Sequence, residues 1–249
     1  SNDYKRKSYC MKESIVSKPY TFKRVNIQIQ NRTVLAAMTN KQSHDNGVIS
    51  NDEINWLVER AKGKFGIITT AATNVSLQGK AWDGEFGVYD DSQLPQLIKL
   101  TTKIHQTKSI IIAQLFHGGI RSPQKITGTI PISCSELDCN ESETGKSKEA
   151  TEKDIKKIIN DFTCSAVRCC EAGFDGIELH GAHGYLISQF LGKKTNLRKD
   201  RWGGSLKNRS RLLNEIISSI KNNVPESFII GIRISPEIES MGIELNDSI

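Results

Sequence analysis

Two histidines and a tyrosine stand close together at the end of an apolar stretch, in DGIELHGAHGYLISQFL. His180, His183 and Tyr185 fall within six residues and are spaced by mostly small side chains. Two imidazoles can donate hydrogen bonds to one carbonyl or oxyanion oxygen, and a phenol can deliver a proton. The pattern predicts reduction of a C=C bond that a carbonyl group activates, with Tyr185 protonating the α-carbon. No side chain supplies the hydride, so a redox cofactor is implied.

A metal site is the alternative interpretation of the same two histidines, because imidazole is a common zinc ligand. It would make the protein a barrel metallohydrolase that uses His180 and His183. However, no H-x-H occurs on the first predicted strand, and no Asp follows the other strands as a partner. None of the six cysteines forms a C-x-x-C pair, so a structural zinc or iron–sulfur site is not predicted.

The elements that must position these residues alternate between strand and helix. Short, continuously apolar runs predict five strands, which indicates a parallel sheet buried on both faces by helices. The predicted strands are RTVLAAMTN, FGIITTAAT, SIIIAQLFH, FDGIELHG and SFIIGIRIS. Ser50, with Glu53 three residues later, predicts the start of one helix, and Thr151 predicts the start of the longest. A polar loop is expected from about Gly118 to Ala150.

Five such units fit either an open doubly wound sheet or a (β/α)₈ barrel. The open doubly wound sheet is less favoured because no G-x-G-x-x-G turn follows the first strand. The barrel is favoured because each strand ends in polar or reactive residues, and barrel enzymes place their chemistry at that end. These residues are Met38, Thr39, Thr73, Asn74, Gln114, His117, His180, His183 and Arg233.

The net charge is +6 over 249 residues. Basic residues concentrate from Lys5 to Arg24 and from Lys193 to Arg211, but aromatic residues for base stacking are scarce. We therefore interpret these clusters as solvated faces and predict no nucleic-acid partner. No apolar run reaches the length of a membrane span, and the N-terminus lacks the apolar core of a signal peptide. With the unpatterned cysteines, these features predict a cytoplasmic protein without membrane contact.

Five segments in this order and spacing resemble the Old Yellow Enzyme family of FMN-dependent ene reductases. They are NRTVLAAMTN, QLFHGG, GFDGIELHGAHGYLISQFL, TNLRKDRWGGSLKNRSRLLNEI and IGIRISP. The resemblance implies a (β/α)₈ TIM barrel with FMN at its C-terminal mouth, NADH or NADPH as reductant, and an enone-type small molecule as substrate. It covers residues 31–249, which we expect to form the FMN-binding domain behind an N-terminal arm, residues 1–30.

The resemblance also implies individual roles for residues of this sequence. His180 and His183 would bind the substrate oxygen, and Tyr185 would donate the proton. Thr39 would lie near O4 of the flavin ring, and Arg233 would lie by N1 and O2, where its charge stabilises the anionic reduced flavin. The residues expected to contact FMN are Ala36, Ala37, Met38, Thr39, Ala72, Gln114 and Arg233.

Some features depart from the family pattern. Ala37 replaces the usual proline, and HGGIRS is one residue longer than the usual motif, so Arg121 receives no role. The sequence ends soon after the fifth predicted strand, at MGIELNDSI. The family continues through three more βα units, which contain the flavin-phosphate site. We therefore expect a barrel that is truncated after strand five. Either a longer polypeptide or a homo-oligomer would cover its open edge, or the chain is an inactive fragment with interaction roles.

Overall fold

The computed structural model describes residues 14–249, so Cys10 and the first part of the predicted N-terminal arm lie outside it. The strands are β1 (Tyr20–Phe22), β2 (Ile27–Ile29), β3 (Val34–Leu35), β4 (Ile67–Asn74), β5 (Ile110–Phe116), β6 (Ile132–Ser133), β7 (Lys148–Glu149), β8 (Gly176–Gly181) and β9 (Ile229–Ile234). The main sheet has five parallel strands in the order β3-β4-β5-β8-β9. These are the five predicted strands, and the predicted α/β class is confirmed.

Helices follow the strands of the main sheet. They are α1 (Asn51–Lys62), α2 (Leu94–His105), α3 (Gln124–Thr127), α4 (Glu152–Glu171), α5 (Leu186–Leu191), α6 (Leu206–Arg209), α7 (Arg211–Lys221) and α8 (Leu245–Ser248). Thr151 caps α4 in a reciprocal capping box with Asp154, as its sequence position predicts. Within residues 14–249, no helix combines the length and the apolar character needed to cross a lipid bilayer.

Each face of the main sheet has its own apolar core. One face packs against the helices, where the alternate strand residues Ile68, Ile111 and Ile177 meet side chains such as Leu57 and Phe162. The other face is the inner face of the sheet. At its N-terminal end lies a smaller cluster, formed by Ile29, Ile67, Ile110 and Ile112. Alternation along the strands thus directs one set of residues to the helices and the other to the inner face.

The β1–β2 hairpin closes the N-terminal end of this inner face. Phe22 and Ile27 of the hairpin pack against the smaller cluster, to which Ile29 belongs. The hairpin falls within the predicted N-terminal arm and was not predicted from the sequence, because its strands have only three residues each. It leaves the opposite end of the inner face, where the strands have their C-termini, open for a site.

Several local predictions were wrong. The first strand contains only Val34 and Leu35, so residues 36–40 continue past the sheet as a loop. The pattern of KNRSRLLNEIISSIKNN predicts one helix, but the structure divides this segment into α6 and α7 at Ser210. The polar loop from Gly118 to Ala150 contains α3 and the two-stranded sheet β6–β7. Ser50 does cap α1, but the side chain of Glu53 bonds to Asn40 and Ser43 instead of returning to the cap.

The sheet does not close into a barrel. β3 and β9 each pair with a neighbour on one side only, and an eight-stranded barrel would need three further strands between them. On β9 the apolar side chains of Ile232 and Ile234 remain 43% and 42% exposed. The prediction of five parallel strands, as in part of a barrel, is therefore confirmed, whereas the sheet is not closed into a barrel.

The second basic cluster is mainly structural. Arg198 is buried and donates to the carboxylate of Asp200 and to the backbone oxygens of Cys134 and Ala150. Arg209 is buried as well, and it binds Asp247 and the backbone oxygen of Leu191. These two buried guanidinium groups fix the loop between α5 and α6, so they are not part of a solvated basic face.

Candidate active site

The register of the main sheet places one row of residues at the same level. Ala72 on β4 pairs with Gln114 on β5, Gln114 pairs with Glu178 on β8, and Glu178 pairs with Gly231 on β9. Nε2 of Gln114 donates to Oε1 of Glu178 at 2.7 Å. Because a carboxylate only accepts hydrogen bonds, this contact orients the amide and leaves its Oε1 as an acceptor.

A second row lies two residues further along the strands, on the same face. Asn74 pairs with Phe116, and His180 pairs with Arg233. The rings of Phe116 and His180 have their centroids 5.8 Å apart. The two predicted site residues on β8 and β9 are therefore direct neighbours, and they lie one level above Gln114.

His180 is a neutral hydrogen-bond donor. It is only 5% exposed, and its Nδ1 accepts the backbone N–H of Ala182 at 3.3 Å. Burial, reinforced by the charges of His183, Arg233 and Arg121, lowers the pKa of His180 to about 3. With Nδ1 as an acceptor in a neutral ring, the proton resides on Nε2, which can donate to an oxygen.

His183 is held in an unusual backbone conformation beside His180. Its φ angle is 60°, in the left-handed region that few non-glycine residues adopt. Its backbone N–H donates to Oγ of Ser235 at 3.0 Å, and its carbonyl oxygen accepts from Nη1 of Arg121 at 3.1 Å. The two imidazole centroids are 5.0 Å apart. Burial and the charges of Arg233 and Arg121 lower the pKa of His183 as well.

Tyr185 lies against three aromatic rings at the start of α5. Its ring centroid is 4.6 Å from that of Phe116, 5.0 Å from that of His180 and 6.5 Å from that of Trp82. The residue is half-buried, so the ring is fixed by packing while part of it stays accessible. His180, His183 and Tyr185 thus come together as the sequence predicts.

A buried glutamine joins the loops that form the mouth of this site. Gln189 on α5 donates to the carbonyl oxygens of Gly118 and Gly184, and it accepts from the backbone N–H of Ile120 and from Ser133. It therefore connects the loop after β5 to the loop after β8. The amide nitrogen and the amide oxygen of the side chain are both used, which makes the connection specific.

The segment expected to lie along the flavin follows β3. Ala36, Met38 and Thr39 are exposed, and Ala37 is half-buried. Just beyond this segment, the buried carboxyl group of Glu53 accepts from Nδ2 of Asn40 and from the hydroxyl of Ser43. The exposed segment is therefore anchored at the sheet by β3 and at α1 by Glu53.

The residues present fit the ring portion of FMN. An added Cβ on Gly231, in the row that contains Gln114, would meet its nearest atom at 3.5 Å, an ordinary van der Waals contact, so this end of the row is not crowded by neighbouring atoms. Gln114 offers a free amide oxygen, and Arg233 offers a guanidinium with no carboxylate within 4 Å among residues 14–249. This acceptor and these donors match the N–H and C=O groups on the pyrimidine edge of a flavin.

The structure adds residues that the sequence analysis missed. Phe116 lies two residues after Gln114 on β5, and Glu178 lies two residues before His180 on β8. The two-residue period of a strand could therefore have identified both of them. Trp82 and Ser235 come from loops, where no period exists. Residues 14–249 contain no group of three His, Cys, Asp or Glu side chains placed to bind an ion, so the metallohydrolase hypothesis gains no support.

Comparison with known proteins gives a consistent result. The sequence pattern of the NADH:flavin oxidoreductase / NADH oxidase family matches residues 16–245. The probable NADH-dependent flavin oxidoreductase YqiG of Bacillus subtilis is 36% identical over 235 residues, which are 92% of this chain and 62% of that protein. An NADPH dehydrogenase of Bacillus licheniformis is 37% identical over 204 residues, which are 82% of this chain and 58% of that protein.

Solved structures show the same relationship. The old yellow enzyme homologue from Zymomonas mobilis superposes with a TM-score of 0.85 at 26% identity, over 94% of this chain and 67% of that one. The chain thus spans about three fifths of the length of the curated relatives. The predicted resemblance is confirmed, and the NADH- and NADPH-dependent flavin oxidoreductases that it joins are of the enzyme and cofactor class that the sequence analysis predicts. The chain belongs to the NADH:flavin oxidoreductase / NADH oxidase family.

Proposed function

We propose that this chain forms the substrate-binding part of an FMN-dependent NAD(P)H oxidoreductase that reduces the C=C bond of α,β-unsaturated carbonyl compounds. One observation supports this most strongly. A neutral donor, His180, lies 5.0 Å from both the imidazole of His183 and the ring of Tyr185. These groups lie one level above Gln114 and next to Arg233 on the sheet.

In the proposed mechanism the substrate carbonyl oxygen accepts from Nε2–H of His180 and from His183. These donors withdraw electron density from the C=C bond and stabilise the negative charge that develops on the oxygen. Tyr185 gives its phenolic proton to the α-carbon. The rings of Phe116 and Trp82 pack against Tyr185 and would keep it in place for this step.

FMN, when bound, supplies a hydride for the β-carbon at the expense of NADH or NADPH. We propose that Gln114 and Arg233 bind its pyrimidine edge, and that Ala36, Ala37, Met38, Thr39 and Ala72 line its ring. The permanent positive charge of Arg233 would favour the anionic reduced form. The phosphate would be bound by the units that the family has after strand five.

The test is flavin binding followed by two half-reactions. The purified chain is titrated with FMN, reduced anaerobically with NADH or NADPH, and reoxidised with 2-cyclohexenone. We expect His180→Ala to slow reoxidation and to leave flavin content and reduction unchanged. His44→Ala is the matched control, because His44 is an exposed histidine on the loop before α1. A chain that binds no FMN would instead support the inactive-fragment alternative.

The proposals on domain organisation and oligomeric state depend on the unpaired edge of β9. We propose that further strands of the same fold pair with this edge, with residues 1–30 as an arm and residues 31–249 as the FMN-binding domain. Pairing of two copies across the edge is the alternative, which intact mass and light scattering would reveal. The described cysteines are all free thiols, which supports the proposed reducing, cytoplasmic compartment.

A further inference from the structure

The side chain of Arg121 lies at the mouth of the site and has no role in the mechanism above. Its Cζ is 4.7 Å from the centroid of the Tyr185 ring, and its Nη1 donates to the carbonyl oxygen of His183 at 3.1 Å. The rings of Tyr185 and His183 each lie 5.0 Å from the ring of His180. The guanidinium therefore adjoins all three groups that would act on the substrate.

This position is fixed although Arg121 itself is exposed. Gln189, buried to 1% exposure, binds the backbone at Gly118 and Ile120 on one side and at Gly184 on the other. The distance between Arg121 and the loop of His183 is thus set by buried hydrogen bonds. A guanidinium held in this way loses little conformational entropy when it binds a ligand.

The charge of Arg121 is not compensated by the protein. Four other arginines in the second half of the chain bind a carboxylate: Arg168, Arg198, Arg201 and Arg209. Arg121, Arg211 and Arg233 have no carboxylate within 4 Å among residues 14–249, but Arg211 donates to the backbone oxygen of Arg201 and to the side chain of Asn208. The proposed flavin-binding role accounts for the charge of Arg233. The charge of Arg121 remains available, beside two histidines that are themselves neutral donors.

Deepening the proposed function, on which this inference rests, we propose that Arg121 is a specificity-determining residue that selects α,β-unsaturated carboxylates over neutral enones and amides. A carboxylate has two oxygens, so His180 and His183 can bind one while the guanidinium binds the other. A ketone, ester or amide presents no second anionic oxygen to Arg121. The guanidinium of Arg121, which lies over the Tyr185 ring, would then contribute to substrate specificity.

The chemistry of a carboxylate makes such a cation necessary. An enoate already carries a negative charge, and uptake of hydride at the β-carbon moves the C=C electron pair toward the carboxylate as a second charge. Arg121 would stabilise this dianion until Tyr185 protonates the α-carbon. The substrate thus gains one hydride, from NADH or NADPH through FMN, and one proton. Tyr185 recovers its proton from water, and the product is the saturated carboxylate.

The test is a binding titration with cinnamate and cinnamamide, which have nearly the same shape but differ in charge. Calorimetry without any reductant measures both dissociation constants for the full chain supplied with FMN. We expect the wild type to bind cinnamate more tightly. Arg121→Gln should weaken cinnamate binding by about 10- to 100-fold, as for a lost hydrogen bond to a charged group, and cinnamamide binding by less than about 3-fold.

Two further variants separate charge from structure. Arg121→Lys keeps the charge without the fork of donors, so an intermediate affinity for cinnamate is expected. Arg60→Gln is the matched control and should change nothing, because Arg60 stacks on Trp56 in the same manner on helix α1. Equal losses for both ligands in Arg121→Gln would show that Arg121 only positions Tyr185 and His183, and would overturn the proposal.

Two other results would also overturn it. One is a wild type without preference for cinnamate. The other is an Arg121→Gln variant that oxidises NADH or NADPH more slowly while its affinity for cinnamate is unchanged, since Arg121 would then bind the nicotinamide cofactor. Because the titration involves no turnover, failure of the chain to reduce any C=C bond would refute the proposed function and leave this measurement interpretable.

Discussion

Replacing His180 tests the central feature of the site, a neutral imidazole that donates through Nε2. Nδ1 of the ring accepts the N–H of Ala182, and Nε2–H is the group that would donate to the substrate oxygen in the proposed mechanism. His180→Asn is the informative change. Its shorter side chain can place an amide oxygen near the position of Nδ1, but its amide nitrogen cannot reach the position of Nε2. The variant should keep the local fold and lose the donor.

The magnitude follows from these two contacts. Loss of a donor to a charged or polarised oxygen costs about 1–3 kcal/mol, or about 5- to 150-fold in the dissociation constant. His180→Ala should cost the same in binding and also destabilise the fold by about 1 kcal/mol, because the buried N–H of Ala182 loses its partner. That bond is long, at 3.3 Å, so the low end of the range applies. His180→Asn should retain the stability.

The assay is a titration with para-nitrophenol and with 2-cyclohexenone over a range of pH, combined with urea unfolding. The pKa of His180 is about 3, and burial and the neighbouring arginines lower the pKa of His183 as well, so affinity for the uncharged enone should not vary between about pH 6.5 and pH 8. The reasoning is refuted if enone affinity follows a titration near the usual histidine pKa. It is also refuted if His180→Asn binds both ligands as tightly as the wild type.

Two further predictions concern Tyr185 and His117. Tyr185→Phe should leave flavin reduction by NADH or NADPH unchanged and slow reoxidation by an enone about 10²- to 10⁴-fold, because only the second half-reaction needs its proton; equal reoxidation rates in stopped-flow experiments would exclude Tyr185 as the donor. His117 is buried, and burial lowers its pKa to about 3, so the unfolded chain binds a proton at this residue below about pH 6.5 that the folded chain does not. The stability of the folded chain that depends on a neutral His117 is fully present above about pH 6.5. It is lost as the pH falls toward 3, by up to about 1.4 kcal/mol per pH unit. His117→Asn keeps an acceptor for the N–H of Gly119 and should reduce the slope of unfolding free energy against pH by this amount; an unchanged slope would contradict the assignment.

Sequence patterns were sufficient where the structure depends on local periodicity. The apolar runs predict all five strands of the main sheet, because strands buried on both faces must be apolar throughout. The C-terminal ends of parallel strands meet at one edge, so Gln114, His180 and Arg233 could be grouped without knowledge of the register. The register itself then shows that Glu178 and Phe116 belong to the same two rows.

The rest of the site depends on contacts that leave no periodic trace. Trp82 and Arg121 reach Tyr185 from loops that buried polar side chains hold in place: the nearby Glu85 for Trp82 and the distant Gln189 for Arg121. Glu85 is buried, and one of its oxygens accepts the N–H of Ala81, next to Trp82. In the sequence both residues look like ordinary polar side chains. Only their burial in the structure reveals that they order the loops of the site.

The electrostatic design of the site follows from where its charges are placed. A protonated histidine would be a stronger donor, but burial and two neighbouring guanidinium groups oppose its protonation. The positive charge is instead supplied by the guanidinium groups of Arg121 and Arg233. His180 therefore contributes direction, through a fixed N–H, while the arginines contribute charge. In the proposed mechanism, separating these two tasks would let the site polarise a substrate oxygen without requiring a protonated His180.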